Sequence, residues 1–172
     1  GRRRAGRGAY MMKERLKRLI REMPKGENHI HIEGSIPART ALKLARRNGV
    51  ALPFATETGM KAYIKDSVVD LDSFMRCDRL INSVCLHEED YYDVVYDLGK
   101  DAQEQNIIYQ ELHLDYPLNE ERGVPIDVVM KGYAAGRKAV REQFGVDIVF
   151  IAGIDRSLSS AACVNFVRNL EP

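Results

Sequence analysis

The apolar residues of the chain form short continuous or alternating runs and longer stretches with helical spacing. Apolar residues that recur about every three to four positions indicate amphipathic helices, whereas alternating or unbroken apolar runs of roughly four to eight residues indicate strands. The sequence predicts strands at residues 29–33, Ile107 to Leu114 and Val146 to Ala152. Helices are predicted at Met12 to Glu22, Pro37 to Asn48, Glu57 to Ile64, Leu71 to Leu86, Glu88 to Gln105, Pro125 to Phe144 and Leu158 to Leu170.

The order of these elements predicts an α/β fold. Each strand is followed by one or more helices, which favours parallel strands joined by helical crossovers. The connection between the first two strands is much longer than the roughly 10–12 residues that a crossover needs. Because active sites of parallel barrels lie at the carboxyl ends of the strands, we expect the additional helices to cover that face.

The stretch His29-Ile30-His31-Ile32-Glu33-Gly34-Ser35 carries the candidate chemistry. In an extended strand, alternation puts His29, His31 and Glu33 on one face. The two imidazoles could then bind one divalent ion, with bonds of about 2.0–2.1 Å if the ion is zinc. Gly34 would let the chain turn sharply at the end of the strand. The alternative is a pair of polar histidines on an edge strand that bind no metal.

Composition narrows the class of protein. At 172 residues the chain has the size of one domain and can bury a sizeable core. A formal net charge of +1 provides no global field that would recruit nucleic acid or a membrane surface. The three cysteines show no Cys-x-x-Cys spacing, which is typical of reduced thiols in a cytoplasmic protein. No apolar run approaches the roughly 18 residues that a membrane-spanning helix needs.

The first ten residues, GRRRAGRGAY, differ from the rest of the chain. They are basic and rich in glycine, and they offer little apolar surface to bury. We expect residues 1–10 to be a disordered leader or a cloning remnant rather than a nucleic-acid-binding arm.

The run from Pro24 to Ser35, PKGENHIHIEGS, resembles the first barrel strand of the adenosine/adenine deaminase family of the amidohydrolase superfamily. That family opens with a Pro-Lys-x-x-x-His-x-His-x-(Asp/Glu)-Gly-Ser pattern. The resemblance implies that residues 11–172 are the amino-terminal part of a metal-dependent (β/α)8 barrel, about three strands of eight, with a helical cap inserted after the first strand. It also implies that the chain is a fragment, covering half of the family's length or less.

The resemblance implies a set of site residues. His29 and His31 would bind a divalent metal, most plausibly zinc, and Glu33, Gly34 and Phe74 would contact the substrate. No catalytic residue is assigned, because the family's acid/base glutamate and its remaining metal ligands lie on later strands. For Phe74, plain helix packing is an open alternative.

Three positions depart from the family's pattern or match it only in part. The second aromatic residue that the family has about a turn after Phe74 is Asp78 here. His113 stands where the family's second strand usually has arginine, and we expect it to be a hydrogen-bonded barrel histidine rather than a metal ligand. Asp155 and Arg156 match the end of the third strand and are expected to form a structural ion pair.

The implied reaction is metal-assisted hydrolysis of a 6-aminopurine, with release of ammonia. We expect adenosine to be the substrate of the full-length protein, with free adenine close behind. In the family's nucleoside deaminases the residue that matches position 33 is usually aspartate, which binds the ribose 5′-hydroxyl, whereas free-base deaminases and some other relatives carry glutamate, as this chain does. The alternative hypotheses are a deaminase of another aminopurine compound, a different amidohydrolase, and a non-catalytic binding or assembly module. We expect this chain alone to be inactive and to self-associate.

Overall fold

The computed structural model describes residues 2–115, 117–120, 122–154 and 159–170. The strands are β1 (Lys25–His31), β2 (Ile107–Leu114) and β3 (Asp147–Ala152). The helices are α1 (Arg2–Glu22), α2 (Ala38–Asn48), α3 (Glu57–Ser67), α4 (Leu71–Asn82), α5 (Glu88–Glu104), α6 (Pro117–Glu120), α7 (Ile126–Phe144) and α8 (Ser160–Leu170). A short 3-10 turn, Glu33–Ser35, follows β1.

The three strands form one parallel sheet in the order β1-β2-β3. Leu112, at the centre of the sheet, lies opposite Ile30 of β1 and Phe150 of β3. Helices α2 to α5 form the helical insert between β1 and β2, and α5 leads directly into β2. Helix α7 forms the crossover from β2 to β3. The predicted α/β fold with parallel strands is therefore confirmed.

The first strand differs from the prediction in its position and its regularity. It begins at Lys25 and ends at His31, so Glu33 belongs to the 3-10 turn instead of the strand. The pairing with β2 shifts register between Glu27 and Ile30. His29 has a φ of 63°, a left-handed conformation that is uncommon outside glycine. An irregularity of this kind bends a strand and redirects its side chains.

Local signals in the sequence explain several helix boundaries. The Thr56 hydroxyl accepts the N–H of Gly59 at the start of α3, and Asp70 and Ser73 form a capping box at the start of α4. Gly49 and Gly145 end α2 and α7 with φ values of 65° and 70°. Both stops are predicted correctly.

Two helix ends were not predicted from the pattern. Helix α4 ends at Asn82, four residues before the predicted end at Leu86, and the Ser83 hydroxyl then donates to the carbonyl of Leu80 at 2.7 Å. Helix α1 begins at Arg2, ten residues before the predicted start. Residues 2–10 therefore lie in a helix, which differs from the disordered leader that we expected. Alanine and arginine both favour helix, and no proline interrupts this segment.

Close packing of α5 against α7 depends on small residues. A Cβ atom added at Gly132 would overlap the Glu88 carbonyl oxygen and lie 2.7 Å from the Tyr91 Cβ. At Gly136 it would lie 2.9 Å from the Cβ of Val95. The rings of Tyr91 and Tyr133 pack edge-to-face with centres 5.4 Å apart. This interface fixes α5, and with it the helical insert, relative to the sheet.

Ion pairs attach α2 to α5. Arg47 pairs with Asp90 and, at 2.9 Å, with Asp93, while Arg39 pairs with Asp101 at 2.6 Å. Among the described residues, no helix is long and apolar enough to cross a membrane.

We expect the substitution Gly132→Ala to destabilise the fold by about 1–3 kcal/mol, because the added methyl group has no space between α5 and α7. Urea denaturation would measure the change. The matched control is Lys138→Ala on an exposed position of α7, which should change the free energy of unfolding by less than about 0.5 kcal/mol. Equal effects of the two substitutions would contradict the packing argument.

Self-association of this chain stays a prediction, and the open edge of the sheet supports it. Among the described residues, β3 pairs with β2 on one side alone, and Val149 on this strand is 39% exposed. Unpaired edge strands offer backbone groups to other chains. We expect light scattering of the purified chain to show dimers or larger species. A compact monomer at micromolar concentration would contradict this expectation.

Candidate active site

The polar groups of the candidate site gather at the carboxyl ends of β1 and β2. His31 of β1 lies opposite His113 of β2 in the register of the sheet. Glu33, in the 3-10 turn, follows His31 by two residues, and Asp115 follows His113 by two residues. This edge is where active sites of parallel barrels form, because the loops that follow the strands meet there.

The imidazoles of His29 and His31 lie close together in spite of the irregular strand. Their ring centres are 5.4 Å apart and both residues are exposed. Two imidazoles that share a zinc ion at about 2.0–2.1 Å with a near-tetrahedral angle have ring centres about 5 Å apart. The separation of the two ring centres therefore matches that of imidazoles that share an ion. Among the described residues, no three donors from His, Cys, Asp and Glu already converge on a metal position.

The ring of His113 joins this pair. Its centre lies 4.4 Å from that of His29 and 5.3 Å from that of His31. Partial burial lowers the pKa of His113, and the two neighbouring imidazoles lower it further. Within the described part of the chain its side chain makes no hydrogen bond, so its surroundings differ from those of the hydrogen-bonded histidine that we expected.

Glu33 occupies a different position from the one predicted by alternation. Its side chain is 2% exposed, and Oε1 accepts the backbone N–H of Asp115 at 2.8 Å. The other oxygen, Oε2, is buried and has no partner among the described residues. Burial raises the pKa of Glu33 to about 7, which the charges of Asp115 and Asp78 reinforce. The turn places this carboxyl group beside the end of β2 rather than on the strand face that carries the histidines.

The structure brings Gly34 and Phe74 together. A Cβ atom at Gly34 would lie 3.8 Å from the Phe74 ring and 3.2 Å from Oδ1 of Asp78. Phe74 is 46% exposed, so its ring is only partly used for helix packing. Gly34 does not have a positive φ; its role is to let α4 approach the turn closely.

Asp78 is the residue of this site that sequence reasoning missed. It lies on α4, one turn after Phe74, and is 8% exposed. Its Oδ1 is buried without a partner among the described residues. Burial raises the pKa of Asp78 to about 6, and the Asp115 charge contributes. The sequence did contain an indication of this residue, because Asp78 stands at a helix position where the family has an aromatic residue.

Arg122 fastens the segment after β2 to the end of the insert. Its guanidinium donates to the carbonyl oxygens of Asn82 at 2.6 Å and Cys85 at 3.0 Å. The Tyr91 hydroxyl donates to Asn119 at 2.7 Å in the same cluster. Asp155 and Arg156, for which we expected an ion pair, lie outside the described residues.

A parallel sheet, helical crossovers and a histidine pair at the carboxyl end of the first strand define the amino-terminal part of an amidohydrolase-type barrel. A family model described as adenosine deaminase matches residues 24–171. The chain therefore belongs to the adenosine deaminase family.

The chain spans about half the length of the curated relatives that it matches. It is similar to an adenine deaminase of Hahella chejuensis, with 33% identity over 154 residues, or 90% of this chain and 46% of the relative.

Two solved structures support the barrel assignment. An adenine deaminase from Arthrobacter aurescens has a TM-score of 0.78 and 27% identity, covering 86% of this chain and 44% of that protein. A zinc-bound amidohydrolase from Burkholderia ambifaria has a TM-score of 0.72 and 22% identity, covering 90% and 43%. The prediction of a partial (β/α)8 barrel is therefore confirmed.

We expect Asp78→Asn to stabilise the chain above pH 6. The pKa of this carboxyl group is raised from 3.8 to about 6 in the folded state, so its ionisation lowers the free energy of unfolding. This loss of stability is absent below pH 3.8 and complete above pH 6. The amide removes a penalty of up to about 3 kcal/mol. Urea denaturation at pH 7.5 and pH 4 would measure it.

The control for this measurement is Asp72→Asn, an exposed position of the same helix. It should change stability by less than about 1 kcal/mol at either pH. A variant at position 78 that is destabilised at pH 7.5 would show that the Asp78 carboxylate is satisfied in the folded chain.

Proposed function

We propose that the complete protein catalyses the metal-dependent, hydrolytic deamination of a 6-aminopurine. The observation that carries this proposal is the His29–His31 pair, with ring centres 5.4 Å apart at the carboxyl end of β1. Membership of the adenosine deaminase family and the similarity to adenine deaminases support the reaction type.

In this proposal His29 and His31 hold the divalent ion through neutral imidazole nitrogens. Zinc is the proposed metal, since imidazole nitrogen suits it and the related amidohydrolase from Burkholderia ambifaria contains it. A bound divalent ion would make water acidic enough to react at neutral pH. The proximity of His113 adds a third nitrogen base to this end of the sheet.

Glu33, Gly34 and Phe74 are the proposed substrate contacts. The half-exposed Phe74 ring offers an apolar face against which a purine can pack. Gly34 lets the Phe74 ring lie close to the turn after β1, since an added Cβ would already be in contact with that ring. The buried Oε2 of Glu33 has no partner among the described residues and can accept a hydrogen bond from the ligand.

We place free adenine before adenosine as the substrate, which reverses our expectation from the sequence alone. The support is the glutamate at position 33 together with similarity to proteins named adenine deaminase. Adenosine remains the second candidate because the matching family model is that of adenosine deaminase. We expect the 172-residue chain alone to release no ammonia, since no third metal donor converges on the histidine pair among the described residues. A cytoplasmic location also stays a prediction.

We expect His29→Ala and His31→Ala each to lower the zinc content of the complete protein well below one ion per chain, because each removes a ligand. Metal analysis after dialysis would measure the content. The control is His87→Ala, an exposed histidine at the start of α5 that is not one of the proposed ligands. Unchanged metal content in both ligand variants would reject the assignment.

The substrate assignment is tested with Glu33→Asp. If residue 33 selects the substrate, the wild-type protein should prefer adenine and the shorter carboxylate should shift the kcat/KM ratio towards adenosine, by about tenfold for a change of about 1.4 kcal/mol. Ammonia release from both substrates measures the ratio. An unchanged ratio would mean that this carboxylate does not distinguish the base from the nucleoside.

A further inference from the structure

We propose that Asp78 and Glu33 form a two-carboxylate subsite that accepts hydrogen bonds from the purine ligand and rejects 5′-phosphorylated purines. This inference rests on the proposed function, because it assumes that the space beside Gly34 and Phe74 receives a purine. It adds a residue of the helical insert, Asp78, to the determinants of specificity.

The first support is a pair of buried carboxyl oxygens that accept no hydrogen bond within the described part of the chain. Glu33 is 2% exposed and Asp78 is 8% exposed, yet Oε2 of the first and Oδ1 of the second have no partner among the described residues. A buried polar atom without a hydrogen bond costs free energy that a ligand donor can recover. Two such atoms on facing elements indicate a place where a ligand supplies the donors.

The second support is the way in which Gly34 brings the two elements together. Glu33 begins the 3-10 turn after β1, and Asp78 belongs to α4 of the insert. An atom built at the Cβ position of Gly34 would lie 3.2 Å from the Asp78 oxygen, so a side chain there would force the Asp78 carboxyl group to shift by a few tenths of an ångström. The Phe74 ring lies beside the same glycine, which puts an aromatic surface next to the acceptors.

The third support is the local charge. Asp115 lies beside the pair, because its backbone N–H donates to Oε1 of Glu33 at 2.8 Å, and its charge contributes to the raised pKa of Asp78. Arg79, an exposed residue on the same helix, acts on Asp78 in the opposite direction. A phosphate group brings negative charge and no donor at neutral pH, so it would meet repulsion from the Asp78 carboxylate, which lies 3.2 Å from the Cβ position of Gly34. A ring N–H or a sugar hydroxyl supplies the donors that the acceptors lack.

The experiment measures binding of reaction products, so that it does not depend on turnover. Hypoxanthine, inosine and inosine 5′-monophosphate (IMP) would be titrated calorimetrically into the complete protein. We expect IMP to bind at least tenfold more weakly than inosine. In Asp78→Asn, which removes the charge and keeps the shape, the ratio should fall at least threefold.

Asp72→Asn is the matched control, since it removes a carboxylate from an exposed position of the same helix. It should leave the ratio of IMP to inosine affinity unchanged. Asp78→Ser serves as a second neutral variant if the asparagine variant does not fold. Equal affinities of the wild type for IMP and inosine, or an unchanged ratio in the neutral variant, would overturn the inference.

The outcomes also separate this inference from the proposed function. If the protein discriminates among the products through Asp78 but releases no ammonia from adenine or adenosine, the proposed function fails and the subsite stands. If ammonia is released and the ratio does not respond to Asp78, the subsite fails and the deaminase stands. Absence of binding by all three products would overturn the subsite.

Discussion

The buried carboxylate of Asp90 is the interaction on which the arrangement of the helical insert depends. It is fully buried and accepts the backbone N–H groups of Leu86 and His87 at 2.8 Å each, the Asn48 amide at 2.7 Å and the Arg47 guanidinium. Burial opposes its charge, but these donors keep the pKa of Asp90 below its ordinary value. A buried charge is tolerated when it is paired and hydrogen-bonded in this way. One carboxylate thus joins the end of α2, the connection after α4 and the start of α5.

This junction determines what faces the candidate site. The carboxyl end of α4 is held by Arg122, which donates to the carbonyl oxygen of Asn82, while the capping box of Asp70 and Ser73 stabilises the first turn of the helix. Phe74 and Asp78 lie between these two ends. The site therefore combines a turn that belongs to the sheet with side chains that belong to the insert, and the glycine at position 34 allows the two to meet.

Much of the fold follows from local patterns, and the geometry of the site follows only in part. The parallel strands, the crossovers and the stops at Gly49 and Gly145 are visible in the sequence, because spacing and glycine act locally. The left-handed backbone at His29 is not visible, since it depends on how β1 pairs with β2 across about 80 intervening residues. Strict alternation failed for Glu33 because the strand ends at His31 and a 3-10 turn begins directly after it. The approach of His113 and Asp78 likewise depends on register and on helix packing, which short-range patterns do not encode.

The attachment of α1 has a consequence for the order in which the protein can fold during synthesis. Asn106, itself in a left-handed conformation, donates through its side chain to the Glu22 carbonyl, and its own carbonyl accepts the N–H of Lys25. Glu22 and Asn106 are 84 positions apart. At about 5–20 residues per second, a ribosome needs roughly 4–17 s to make that intervening segment. During this interval the apolar side of α1, with Leu16 55% and Leu19 58% exposed even in the folded chain, has no attachment from β2. The amino-terminal helix therefore reaches its final position against the sheet only after the second strand has been made.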